Sequence, residues 1–202
     1  MRVETPRRLT PGATFTIDEA RSIVAAACRL ANPASRAEWV ARCCAMFYAG
    51  LRIGSVEALD AAMFQTRGER RWCVVDGDDV KTGNALAVPV HAEFGAAVDR
   101  LKVSTGRLFS VIDRRWLARQ HEKLQLEAGI KKPLGFHAWR RTYTEQMALV
   151  GAGHGELAAQ AGADHANART TREHYCNAKA LLVDRLPRLM IADGLDQKRL
   201  AF

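Results

Sequence analysis

The sequence predicts an α+β fold, a mainly helical domain with a small three-stranded antiparallel sheet. Three observations carry this. The first third opens on a capping box followed by helix-period apolar runs. The middle changes texture at 71–90, where short β-rich stretches alternate with Asp-Gly and Thr-Gly-Asn turns. After Pro89 the helical period returns, and glycines stand where its segments stop.

Residues 1–15, rich in Pro, Arg and Thr, read as an arm or linker. Thr16 with Glu19 three residues on caps a helix over 17–31, and the NPAS tetrapeptide breaks it. RAEWVARCCAMFYAG is a second helix that Gly50 is placed to end, and IGSVEALDAAM is a short helix or turn. RWCVV, DDVK and ALAVPV are the three expected strands, with turns at Asp76-Gly77 and Thr82-Gly83-Asn84. Lys81 then falls at the end of the middle strand, beside the second turn. Helices are expected at 91–103, at 113–128 ended by Gly129, and at 136–150 ended by Gly151 or Gly153. Two shorter ones follow near 155–161 and 168–175, then an amphipathic run, AKALLVDRLPRLMIA, interrupted by Pro187.

At 202 residues the chain is long enough for one well-buried domain with small appendages. Its formal charge of +8 and pI near 9.6 favour an anionic partner, nucleic acid first. Lys and Arg outnumber Asp and Glu most clearly between Lys102 and Glu145. The five cysteines form no C-x-x-C pair and have no ligand-spaced histidine, so neither zinc nor a disulfide framework is expected and a reducing cytosol fits. Cys28, Cys43 and Cys44 sit in apolar runs as core filler. No apolar stretch reaches the roughly 18 residues of a membrane span, and MRVETPRRLTPG lacks the hydrophobic core of a signal peptide.

The segment GFHAWRRTYTEQ carries the chemistry. On a helix His137, Arg140 and Arg141 stand at i, i+3 and i+4 and share a face. Phe136, Tyr143 and Met147 belong to the buried stripe. One titratable imidazole beside two permanent cations suits a phosphodiester, because a guanidinium fork binds two phosphate oxygens together and His exchanges a proton near neutral pH. A solvated basic helix face is the plain alternative. Arg52, between Leu51 and Ile53 just after Gly50, adds weight: an arginine framed by apolar neighbours is costly to bury without an anion.

ADHANARTTREHYCNA supplies His165 and, ten residues later, Tyr175. With these the chain resembles the tyrosine recombinase (phage integrase) family over roughly 15–190. The motifs stand in family order: GLR at 50–52, KTG at 81–83, HAWRRT at 137–142, His165, Thr170-Thr171 and Tyr175. The resemblance implies a catalytic domain over 16–177 and a C-terminal helix or tail, 178–202, that docks on a neighbouring subunit; packing within its own chain is the alternative. It implies site-specific recombination of double-stranded DNA without metal or cofactor, in the cytoplasm of a prokaryotic-type cell, at the nucleoid. Tyr175 would attack the scissile phosphate to give a 3′-phosphotyrosyl link and a free 5′-hydroxyl, conserving the bond energy for religation. His137 would act as base or proton shuttle, Arg52 and Arg140 would grip the non-bridging oxygens, Lys81 would protonate the departing oxygen, and His165 would hydrogen-bond the phosphate. Lys131, Lys132, Arg172 and Arg141 are candidate DNA contacts, Arg141 standing between that role and a supporting one. Relaxation of the type IB topoisomerase kind and non-catalytic DNA binding are the competing readings.

The motif departs from the family in two places. Ser55 stands where an acidic residue commonly follows the first arginine, with Glu57 two positions later, and Ala163-Asp164 replaces the usual Leu-Gly. Family members usually carry a further DNA-binding domain before the catalytic one. A chain of this span is thus expected to be an excised catalytic domain or a short recombinase, with weak, salt-sensitive and largely non-specific DNA binding on its own.

Overall fold

A computed structural model describes residues 12–75, 86–151, 180 and 182–190. Helix α1 (Ile17–Cys28) begins as expected: Thr16 Oγ1 accepts from the Glu19 amide while the Glu19 carboxylate accepts from the Thr16 amide. Helix α2 (Pro33–Tyr48) starts on Asn32, whose side chain accepts from the Ser35 amide, with Pro33 at the first helical position. Its residues from Trp39 to Tyr48 are buried without a break, because α2 is the central helix, packed by α1 (Ile17–Cys28), α4 (Ala92–Asp99) and α6 (His137–Val150). Gly50 turns the chain at φ 61°, and α3 (Ile53–Glu57) and a 3-10 turn (Ala61–Met63) follow.

The sheet is antiparallel and three-stranded, in the order β1 (Phe64–Arg67), β2 (Arg70–Val75), β3 (Leu86–Pro89). RWCVV and ALAVPV are β2 and β3 as read, but β1 precedes them and was not anticipated. FQTR is short and mostly exposed, so it carries no alternation of apolar residues to read. Arg67 pairs with Arg70 across a two-residue loop whose first position, Gly68, has φ 61°, the residue a primed hairpin turn needs there. The expected strand 78–81 and its two flanking turns lie outside the described residues. Cys73, Val75 and Val88 join the core, and Phe64 meets Phe94 edge-on, seating the sheet against α4.

Helix α4 stops before the expected 103 because Lys102 takes φ 56°. Helix α5 (Arg114–Glu127) begins on Asp113, whose carboxylate accepts from the Arg115 and Trp116 amides, and ends at Gly129 with φ 83°. The boundaries of α6 match the sequence reading. No helix among the described residues is long and apolar enough to cross a membrane.

Described segments near both termini pack against this frame. Phe15, the last residue of the expected arm, is 2% exposed, and its amide donates to Thr142 Oγ1 of α6. Leu182, Val183, Leu186 and Leu189 are buried in the core of the same chain. Beyond Val183 this segment is irregular rather than helical, since Pro187 cannot continue a helix. It is held instead by Glu93, at the first turn of α4, whose carboxylate accepts from Tyr48 Oη, the Leu189 and Met190 amides and Arg188 Nε. Burial raises the Glu93 pKa, and these donors outweigh it to hold the carboxyl below its ordinary range.

Cys43, Cys44 and Cys73 are buried and Cys28 is half-buried, all as free thiols. Burial pushes the Cys43 and Cys73 thiols up to about 12, so they are inert filler at neutral pH.

Candidate active site

The site forms where the loop after α2 meets the start of α6. Two contacts at Gly50 join these elements. Arg140 Nη1 donates to the Gly50 carbonyl at 2.7 Å, and the Tyr143 ring lies against the Gly50 α-carbon, so closely that an added Cβ would overlap the ring. Only glycine satisfies both the positive φ and this approach. Residues some ninety positions apart are thereby held together.

Two residues past Gly50, Arg52 occupies the N-cap position of α3 in an extended conformation. It is half-buried, and its side chain makes no hydrogen bond or ion pair among the described residues. Glu57, the nearby carboxylate, is engaged elsewhere: it accepts from Arg42 Nε at 2.8 Å. Arg42 is fully buried in α2, paired with both Glu38 and Glu57 and covered by the Trp39 and Phe109 rings. Glu57 thus anchors α3 rather than orienting Arg52 directly. Ser55, in the position where the family commonly has an acid, is buried.

His137 is the first residue of α6 and is exposed. Partial desolvation, then the positive charges of Arg141, Arg140 and Arg52, depress its pKa, so the imidazole is neutral at neutral pH and able to accept a proton. The same interactions place all three arginines in the electrostatic neighbourhood of one imidazole. Arg141 turns the other way: its Nε donates to the Ala13 carbonyl at 3.0 Å and its guanidinium lies on Gly12. It fastens the N-terminal segment to α6, a supporting role. Lys131 and Lys132 are exposed in the α5–α6 connection, free to meet a polyanion. Lys81, His165, Arg172 and Tyr175 lie outside the described residues.

The two described tyrosines are unsuited to nucleophilic attack. Tyr143 is 5% exposed. Tyr48 donates to Glu93 at 2.6 Å, and burial, the Cys44 thiol and that carboxylate all raise its pKa.

The sequence reading missed a buried network beneath the site. His121 of α5 lies between the rings of Trp39 and Phe136, nearly parallel to both. Its Nε2 accepts the indole N–H of Trp139 at 2.9 Å. The other ring nitrogen, Nδ1, lies 3.2 Å from the Gln125 amide nitrogen. Gln125, one turn on, donates to the Leu134 carbonyl at 2.9 Å and accepts from the Leu134 amide at 2.7 Å. The one sequence signal was polar residues at i and i+4 in line with the apolar stripe of α5.

Burial lowers the His121 pKa to about 4. The sign follows: the unfolded chain, with a His pKa near 6.5, binds the proton first, so stability falls as pH drops below about 6.5 and the loss is complete near the folded value. The full effect is about 3 kcal/mol. His91, whose pKa burial also lowers, acts in the same direction. Urea midpoints measured from pH 7 to 4.5 are expected to fall more steeply for the wild type than for His121→Gln; parallel profiles would show that His121 does not set the acid limit.

No protein-family model matches the chain, and neither does any curated protein sequence. Solved structures do match. A XerH site-specific recombinase bound to difH substrate, in a pre-cleavage complex, superposes with a TM-score of 0.62 over 80% of this chain and 49% of that one, at 16% identity. The post-cleavage complex on a palindromic difH substrate gives 0.61 over 86% and 52%, at 17% identity. An integrase from mycobacterium phage Brujita gives 0.65 over the whole of this chain and 66% of that one, at 16% identity. The chain spans about half the length of the two recombinase chains. Helices gathered around α2 with the small antiparallel sheet give this chain the fold of these site-specific recombinase and integrase structures.

Proposed function

We propose that the chain is the catalytic domain of a site-specific DNA recombinase, breaking and rejoining strands through a 3′-phosphotyrosyl intermediate. The observation that carries this is the Gly50 corner, where Arg140 is tied to the loop bearing Arg52 and both stand near a neutral His137. Two guanidiniums can offset charge on a pentavalent phosphate, and the imidazole can relay the phenolic proton. Tyr175 is the assigned nucleophile. Lys81 protonates the leaving 5′-oxygen and His165 binds the phosphate. Exclusion of Tyr48 and Tyr143 supports the tyrosine assignment, since Tyr175 is the third of three tyrosines in the chain.

A nicked suicide DNA substrate tests it. Once the short product diffuses away, religation is blocked and a covalent protein–DNA adduct accumulates on a denaturing gel. The expected adduct forms with the wild type and with Tyr143→Phe and is absent with Tyr175→Phe. An adduct that persists in Tyr175→Phe overturns the assignment. Tight binding to a cognate site without any adduct indicates a DNA-binding protein that has kept the fold alone.

A further inference from the structure

Helix α6 starts without the usual device. Its N-cap residue is Phe136, which offers no side-chain acceptor to the first-turn amides. His137 and Arg140 both lie in its first turn; on the recombinase reading they meet one phosphate, so the helix start has to be held by something else. The buried His121–Gln125 pair on α5 supplies the hold from both sides of His137. Gln125 binds the Leu134 backbone through both its amide nitrogen and its oxygen, which fixes the chain three residues before His137. His121 receives the Trp139 indole N–H two residues after His137, and Phe136 stacks on the same imidazole with ring centroids 4.3 Å apart. Gln125 is fully buried and His121 is 2% exposed, so water competes for neither set of bonds.

We propose that His121 and Gln125 are positioning residues for the phosphate grip: they set where His137 and Arg140 point by pinning Leu134, Phe136 and Trp139 to α5. The proposal deepens the recombinase reading and rests on it for the identity of the reaction, but the positioning itself can be measured without turnover. A bridge of this kind matters because displacing catalytic groups by about 1 Å costs on the order of 10²-fold in rate.

The experiment uses the full chain in four forms: wild type, His121→Leu, His121→Gln and Trp139→Phe. His121→Leu removes the acceptor and keeps an apolar side chain. His121→Gln keeps an acceptor oxygen. Trp139→Phe deletes the indole donor and keeps an aromatic ring at this buried position, at the cost of some core volume. Inorganic phosphate is titrated while the His137 imidazole is followed by NMR, and single-turnover adduct formation is measured on saturating nicked DNA alongside DNA affinity.

His121→Leu and Trp139→Phe are expected to weaken phosphate binding at His137 and to slow adduct formation by roughly 10–100-fold, with DNA affinity within about threefold of wild type, since duplex affinity sums over many phosphates. His121→Gln should recover most of the loss. A merely structural role would lower thermal stability and leave the phosphate affinity and the rate of the folded fraction unchanged, and that result overturns the proposal. A wild type with no phosphate response at His137 overturns it too. If the wild type binds phosphate but forms no adduct, the recombinase reading fails, and the titration alone then decides the positioning.

Discussion

Arg140→Ala is expected to slow adduct formation by roughly 10²–10³-fold, about 3–4 kcal/mol, and Arg52→Ala by a similar factor. The two reach that effect differently. Arg52 makes no hydrogen bond or ion pair among the described residues, so its truncation removes the proposed phosphate-binding charge and little else. Arg140 donates Nη1 to the Gly50 carbonyl, a bond that orients the guanidinium fork against the loop bearing Arg52. A lysine ammonium lacks the planar fork of separate nitrogens, so Arg140→Lys should recover little of the rate, whereas Arg52→Lys should recover more. If both arginines grip one phosphate, as proposed, the double alanine variant should lose less than the product of the two single losses. Single-turnover kinetics on the suicide substrate measures all of these. A loss below about fivefold in Arg140→Ala would reduce that residue to a structural tie between α6 and the Gly50 loop.

Gly50→Ala should destabilise the protein by about 2–5 kcal/mol. Part is backbone strain: a non-glycine residue at φ 61° costs roughly 1–2 kcal/mol. The rest is overpacking, of order 1–3 kcal/mol, because the new methyl meets the ring of Tyr143, a buried side chain on a rigid helix. Relief of the clash would displace α6 from the loop and lengthen the Arg140–Gly50 bond, so activity should fall further than stability alone dictates. Urea unfolding of Gly50→Ala, Tyr143→Ala and the double variant separates the two costs. In the Tyr143→Ala background the methyl has room, and only the backbone component should remain. Equal penalties in both backgrounds would show that the ring does not constrain position 50.

Most helices are legible because their start and stop signals are local. Thr16 and Glu19, Asn32 and Pro33, Asp113 and Gly129 each act on backbone groups within a turn of themselves. The helical face shared by His137 and Arg140 is equally local, a matter of spacing. Strand β1 was not legible, because a four-residue edge strand with an exposed face has no pattern of its own and exists through its pairing with β2. The C-terminal run displayed an apolar face but not its partner, and its described part packs in its own chain, where Glu93 waits with four donors' worth of acceptor capacity.

Charged and polar side chains divide the same way. From the sequence, Glu57 was a candidate replacement for a missing acid near Arg52, and Arg42 was an unremarked cation in an apolar helix. In three dimensions these two pair with each other, because a buried guanidinium without a carboxylate is untenable and Glu57 is the acid within reach. His121 and Gln125 looked like ordinary polar residues of α5 and became the support of α6. The sequence by itself determined the residue types of the site, their order and the helical face they share, since these follow from local spacing and backbone hydrogen bonding. Only the tertiary structure decided which guanidinium is committed to a partner, which tyrosines are buried and what holds the start of α6. Those outcomes depend on distances between segments that lie from about ten to more than ninety residues apart, and on the low-dielectric interior that makes each buried polar group choose a partner.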